Sequence, residues 1–220
     1  MNIHALSKAE YNSRLKYRCI HRHNGLIDGH PNCYYQAYGL TERLGFIDIE
    51  SSQLNASFGI ILSVCILDDK KSLYKRVISP EELRKGIFDR VLCAELCKEM
   101  RKYDRLIGYY SERFDMPFIR TRCLYHKLDM PLFKEIKHTD LWKIVRNKLK
   151  IHSNRLGAVA PFFGIKAKDH PLTPAVWIKA LSGDKEALDF ICLHNIEDVH
   201  TTIELYYLLE GQHKLEARSI

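Results

Sequence analysis

Long apolar runs are missing from this 220-residue chain. The longest near-apolar stretch, Phe58 to Leu67, covers ten residues. A membrane-spanning helix needs about 20. The opening MNIHALSKAEYNS holds no apolar segment of the kind that export signals use, so a cytoplasmic location without membrane association is expected. Neither an internal repeat nor a low-complexity tract occurs, and the composition excludes disorder, collagen and coiled coil. Cysteines number seven, an odd count. Free thiols or metal ligands are therefore expected rather than a disulfide framework. Acids are outnumbered, 27 against 34 Lys plus Arg, for a net charge of +7. That excess favours a polyanionic partner.

The remaining composition, 46% hydrophobic and 28% charged, is that of an ordinary globular chain. Residues 1–40 are short of aliphatics and rich in His, Tyr and Asn, which marks them as a separate small element. From 41 to 220 apolar strands and amphipathic helices alternate. Strands are expected at Gly45–Ile49, Phe58–Leu67, Ser72–Ile78, Leu106–Tyr109 and Phe133–Lys137. Ser79-Pro80-Glu81-Glu82 reads as a helix start, with the helix continuing to about Lys102 and turning Leu83, Ile87, Val91, Ala94 and Leu96 inward. Further helices are expected at Asp115–Leu128, Asp140–Leu149, Ser153–Phe163, about 172–181 and 184–210. Three strands in meander order followed by helix-strand-helix-strand describe an α/β fold, a mixed five-stranded sheet flanked by helices. Sites in such sheets gather at the carboxyl ends of strands.

Three constellations carry chemistry. In Phe46-Ile47-Asp48-Ile49-Glu50, alternation along a strand points both acids one way and both isoleucines the other. Two carboxylates so close repel unless a cation neutralises them or one takes a proton. In Leu106-Ile107-Gly108-Tyr109-Tyr110-Ser111-Glu112-Arg113-Phe114-Asp115, a buried strand ends in a short loop and Asp115 opens a helix. In His194-Asn195-Ile196-Glu197-Asp198, His194 and Asp198 stand four apart and share a helix face. Each pattern alone also suits a solvated edge, an N-cap or a local His–Asp contact.

Together the three resemble the DEDD-type 3′–5′ exonuclease superfamily, on the ribonuclease H-like fold. The resemblance covers about 45–210 and is nearest to YprB-like ribonuclease H-like domains, mostly predicted nucleases related to the proofreading domains of family B DNA polymerases. Leu156–Ile165 also looks like the helix that precedes the last motif in such proteins. The four acids it implies are Asp48, Glu50, Asp115 and Asp198. Two Mg²⁺ or Mn²⁺ ions on these oxygens would support phosphodiester hydrolysis. Three departures stand out: Ser51 where many relatives have Thr, Tyr110 where Asn is usual, and His194 at the spacing that relatives fill with Tyr. An imidazole one helical turn before Asp198 is expected to accept the attacking water's proton, which a phenol of pKa near 10 cannot do at neutral pH.

Between Lys137 and Lys168 eight basic residues face one acid, Asp140. Lys143 and Arg146 there, with Arg120 and Arg122 near Asp115, are expected to contact nucleic-acid phosphates. Single-stranded ends are the expected substrate. In the N-terminal element, Cys19, His21, His30 and Cys33 give two sulfurs and two imidazoles, a set that suits one structural Zn²⁺, with His23 as an alternative nitrogen. Cys93 and Cys97, four apart on a helix, read as small buried hydrophobes. Two other functions fit the same residues: a structure-selective endonuclease, and a nucleic-acid-binding module whose nuclease site has decayed.

Overall fold

A computed structural model describes residues 42–131, 135–166 and 171–210, with positions 9, 12 and 16–18 besides. The boundary at 40/41 and the expected zinc ligands Cys19, His21, His30 and Cys33, with His23, lie outside the described residues. The described chain forms strands β1 (Leu44–Ser51), β2 (Ile61–Asp68), β3 (Leu73–Val77), β4 (Arg105–Gly108) and β5 (Lys137–Asp140). Its helices are α1 (Pro80–Arg84), α2 (Arg90–Met100), α3 (Asp115–Tyr125), α4 (Leu141–Lys148), α5 (Leu156–Phe162), α6 (Pro174–Leu181) and α7 (Lys185–Leu208). The strands make one sheet in the order β3-β2-β1-β4-β5. β2 runs antiparallel to β1 and β3, while β4 runs parallel to β1 and β5. This is the mixed five-stranded α/β arrangement that the alternating pattern implies.

Alternation along β1 splits the core in two. Ile47 and Ile49 face α2 and α3, packing on Val64, Ile66, Leu92, Leu96 and Ile119. Phe46 faces α7 with its neighbours Cys65 and Leu67, against Val199, Ile203 and Leu205. Each such side chain contributes about 1.5–3 kcal/mol by leaving water. Asp48 and Glu50 share the face of Phe46, so β1 delivers both acids toward α7. A register shift between Glu50 and Ser51 ends regular pairing at that point. No helix among the described residues is long and apolar enough to cross a membrane.

Four expectations need correction. β2 begins at Ile61, and Phe58 stands almost fully exposed in the preceding turn, where Gly59 N–H reaches back to the Asn55 carbonyl. The helix expected from 79 to 102 is two helices. Its start is as the sequence indicates, with Ser79 capping and Glu82 returning a bond to the Ser79 N–H. It breaks where Gly86 and Phe88 take positive φ, 65° and 52°. The break brings Asp89 into the core, where its carboxylate accepts from Ile61 N–H at 2.9 Å and Arg122 Nε at 2.8 Å. It also changes the phase: Leu92 and Cys93 are buried, while Ile87 and Val91 are exposed. Finally, β5 lies at 137–140 rather than 133–137, and Phe133 itself falls outside the described residues. Cys93 and Cys97 are buried, as small apolar residues should be.

Candidate active site

β1 and α7 bring the first and third constellations together. Asp48, mid-strand on β1, accepts a hydrogen bond from Asn195 Nδ2 on α7 at 2.7 Å. His194 Nε2 lies 3.9 Å from Glu50 Oε1 and 3.8 Å from Asp198 Oδ2. The ligand atoms of Glu50, His194 and Asp198 all fall within 4.8 Å of one another. The spacing of four residues works as expected, putting His194 and Asp198 on one face of α7. Asn195 escaped sequence reasoning. It is fully buried, and its Oδ1 has no hydrogen-bond partner among the described residues. No local signal marks it, because its burial and its partner Asp48, 147 positions away, are set by the fold.

α3 supplies the second constellation. Asp115 is the first residue of that helix, 3% exposed, and its Oδ1 accepts from Ile49 N–H at 3.0 Å. That bond ties the start of α3 to the strand residue between the two β1 acids. Burial, with the nearby Asp140 and Asp198 carboxylates, pushes the Asp115 carboxyl up to about 7. Carboxylates crowded into a buried site this way suit a cation, which would remove both the repulsion and the burial penalty. The donor set, oxygens with one imidazole, fits divalent ions.

The loop before α3 is organised by Asp140. Its carboxylate accepts from the main-chain N–H groups of Tyr110 at 2.8 Å, Glu112 at 3.1 Å and Trp142 at 3.0 Å. Behind it Ser111 Oγ lies 2.9 Å from His138 Nε2, both side chains buried. Burial holds His138 down to about 4, so the ring is neutral at pH 7. A side chain at Gly108 would meet Ser111 Oγ at 2.3 Å, so the strand must end in glycine for the loop to close. Tyr110 takes φ of 62°, the left-handed region that bulky residues avoid and Asn tolerates. An Asn at this place would meet that backbone demand more cheaply.

A pocket of about 390 Å³ opens beside these acids. It is lined by Asp48 and Asp198, by Leu156, Gly157, Ala160 and Pro161 of α5, and by Tyr109, Lys166 and Thr201. The Tyr109 hydroxyl donates to the Asn154 carbonyl at 2.6 Å, which joins the end of β4 to the approach of α5. Acids and a cation lining one pocket suit a ligand with both phosphate and metal affinity.

The four arginine and lysine positions separate. On α4, Arg146 lies over the Trp142 ring at 5.0 Å from its centroid, and Arg113 lies over the same ring at 5.6 Å. Tyr110 meets Trp142 edge-on at 5.0 Å. Lys143 pairs with Glu112 beside this cluster. Arg120 is exposed on α3. Arg122 is not a surface residue: it is buried, with Nη2 and Nε on Asp89 at 2.7 and 2.8 Å and Nη1 on the Ala56 carbonyl. Two positions on a helix two residues apart point in nearly opposite directions, so Arg120 and Arg122 cannot serve one surface.

Residues 45–210 match the RNase_H superfamily. Over 171 residues the chain is 27% identical to the protein MJ0365 of Methanocaldococcus jannaschii, covering 74% of this chain and 93% of that one. Its fold is similar to that of the family B DNA polymerase from the hyperthermophilic archaeon Pyrobaculum calidifontis, with a TM-score of 0.64 and 17% identity. That likeness takes in 77% of this chain and 24% of the polymerase, so the chain spans about a quarter of that enzyme.

Proposed function

The chain belongs to the RNase_H superfamily, and from that premise we propose that it is a metal-dependent nuclease, a 3′–5′ exonuclease of the DEDD type acting on single-stranded ends. The observation that carries this reading is the convergence of acids from β1 and α7 on one pocket, with Asp115 bonded to the β1 backbone between them. Asp48, Glu50, Asp115 and Asp198 would hold two divalent ions, Mg²⁺ or Mn²⁺. Such ions stabilise the attacking and leaving oxygens of an in-line displacement at phosphorus.

The protein's own groups do the rest. Asn195 fixes the orientation of Asp48, and Ile49 N–H fixes that of Asp115. Lys166, in the pocket lining, offers a positive charge to a phosphate. Tyr110, Trp142, Arg113 and Arg146 form an aromatic and cationic surface suited to an unpaired strand, where each stacked base contributes about 1–3 kcal/mol. Lys143 and Arg120 add phosphate contacts near it. The 3′–5′ polarity and the YprB-like affinity rest on the resemblance of the motifs.

The test is incubation of end-labelled single-stranded DNA and RNA with Mg²⁺ or Mn²⁺, using Asp48→Asn as the control. A ladder descending one nucleotide at a time, absent in the variant, is the expected result. Discrete internal cuts would replace the exonuclease by an endonuclease, and binding without cleavage would leave a nucleic-acid-binding module.

A further inference from the structure

His194 stands where a proton acceptor is expected from its spacing, yet its surroundings suit a different task. Nε2 is flanked by one oxygen of Glu50 at 3.9 Å and one of Asp198 at 3.8 Å. Both separations exceed the reach of an N–H···O hydrogen bond, about 3.2 Å. They match two donors on one ion, because metal–ligand bonds of 2.0–2.2 Å put neighbouring donor atoms roughly 3–4 Å apart. Among the described residues, this is the one group of three His, Cys, Asp or Glu with every ligand atom within 4.8 Å of the others. The imidazole is largely buried, and its position one turn before Asp198 on α7 aims both side chains at the same space.

We infer that His194 is itself a ligand, through Nε2, of an ion that it shares with Glu50 and Asp198, and that this place selects a first-row transition ion over Mg²⁺. The inference rests on the proposal that these acids hold cations, and it adds a nitrogen to a set otherwise made of oxygen. Mg²⁺ takes oxygen donors and gives up its water reluctantly, whereas imidazole binds ions later in the divalent series well. An imidazole nitrogen has one lone pair. Committed to the ion, Nε2 no longer accepts a proton from water, so the two roles exclude each other.

The test uses the full chain loaded with Mn²⁺ and read by pulsed electron paramagnetic resonance, which detects nitrogen bonded to the metal independently of activity. A nitrogen coupling is expected in the wild type, changing to that of the heavy isotope when the protein is made with ¹⁵N-histidine. It should vanish in His194→Gln, with Mn²⁺ affinity lowered about tenfold or more and Mg²⁺ affinity nearly unchanged. Circular dichroism and thermal melting establish that the variant is folded. Should it not fold, His194→Asn takes its place in the same comparison, and a wild type without nitrogen coupling overturns the assignment by itself. Mn²⁺ bound without any nitrogen coupling overturns the ligand assignment while leaving the metal-dependent nuclease standing. A coupling that persists in folded His194→Gln also overturns it, since the chain has 11 histidines. Binding of Mg²⁺ but not Mn²⁺ by the wild type overturns this inference alone, and failure to bind either ion removes the nuclease proposal with it.

Discussion

Arg122→Met should destabilise the protein strongly while leaving its surface unchanged. The guanidinium and the Asp89 carboxylate are both buried, 6% and 0% exposed, and are joined by two charge-assisted bonds at 2.7 and 2.8 Å. Burial alone would raise the Asp89 carboxyl, yet Arg122, the Ile61 N–H and His126 together hold it below the usual carboxylate range. Removing one partner of a buried ion pair typically costs about 3–5 kcal/mol, because the other charge is left unpaired. Against a usual total of about 5–15 kcal/mol, that is a large fraction. Asp89→Ala should cost as much or more, since Ile61 N–H and His126 lose their acceptor too. In Asp89→Ala/Arg122→Met no charge is stranded, so the double variant should be destabilised by clearly less than the sum. Its deficit should exceed zero by about 1–3 kcal/mol, for the unpaired Ile61 N–H. Urea unfolding followed by far-ultraviolet circular dichroism measures all three. Single costs that add to within about 0.5 kcal/mol would show no coupling and refute the reasoning. So would Arg122→Met that keeps wild-type stability but loses affinity for nucleic acid.

Neutralising Lys143 and Arg146 should weaken binding to single strands of any sequence alike, and should flatten the salt dependence by about 0.7 in log–log slope per lost contact; unchanged slopes would place the track elsewhere. For His138, burial lowers the folded-state value to about 4 while the unfolded chain keeps about 6.5, so the unfolded chain binds protons more readily. Stability is then fully present above pH 6.5 and is lost as pH falls toward 4, by about 3 kcal/mol for this group. The difference in stability between wild type and His138→Gln, measured across that window, should carry this slope, and a flat difference would contradict it. Purified protein never exposed to chelator should contain about one Zn²⁺ per chain by elemental analysis, lost in Cys19→Ser/Cys33→Ser without unfolding of the nuclease core.

What could be read in advance follows from which forces leave a periodic trace. The alternation of Ile47 and Ile49 with Asp48 and Glu50 is a property of any half-buried strand, so the site's floor was visible in five residues. The pairing of His194 with Asp198 follows from helical spacing alone. β5 was misplaced because its inward residues are polar and satisfied. His138 meets Ser111, and Thr139 accepts from Arg105 Nη1 at 2.9 Å, so no apolar pattern marks the strand. The break before α2 was hidden for the same reason, since a buried Asp89 is intelligible only with Arg122, 33 positions later in the chain. Arg122 itself was misjudged because charge on a helix says nothing about its face. Asn195 shows the opposite failure, a side chain passed over because its partner lies on a distant strand.

Tyr110 gives the loop at the end of β4 a conflict between durability and use. A tyrosine held in the left-handed region costs about 1–2 kcal/mol relative to glycine, whose backbone adopts it freely. Tyr110→Gly should therefore raise the melting temperature, while Asp140 keeps its three main-chain donors because none of them depends on the side chain. The same change would strip the phenol from the edge of Trp142, leaving Arg113 and Arg146 over that ring. A thermostable version of this protein selected on melting alone would be expected to lose this ring early. On the proposed reading, selection for binding to single strands would restore it at the expense of stability, a trade that sites under functional demand repeatedly make.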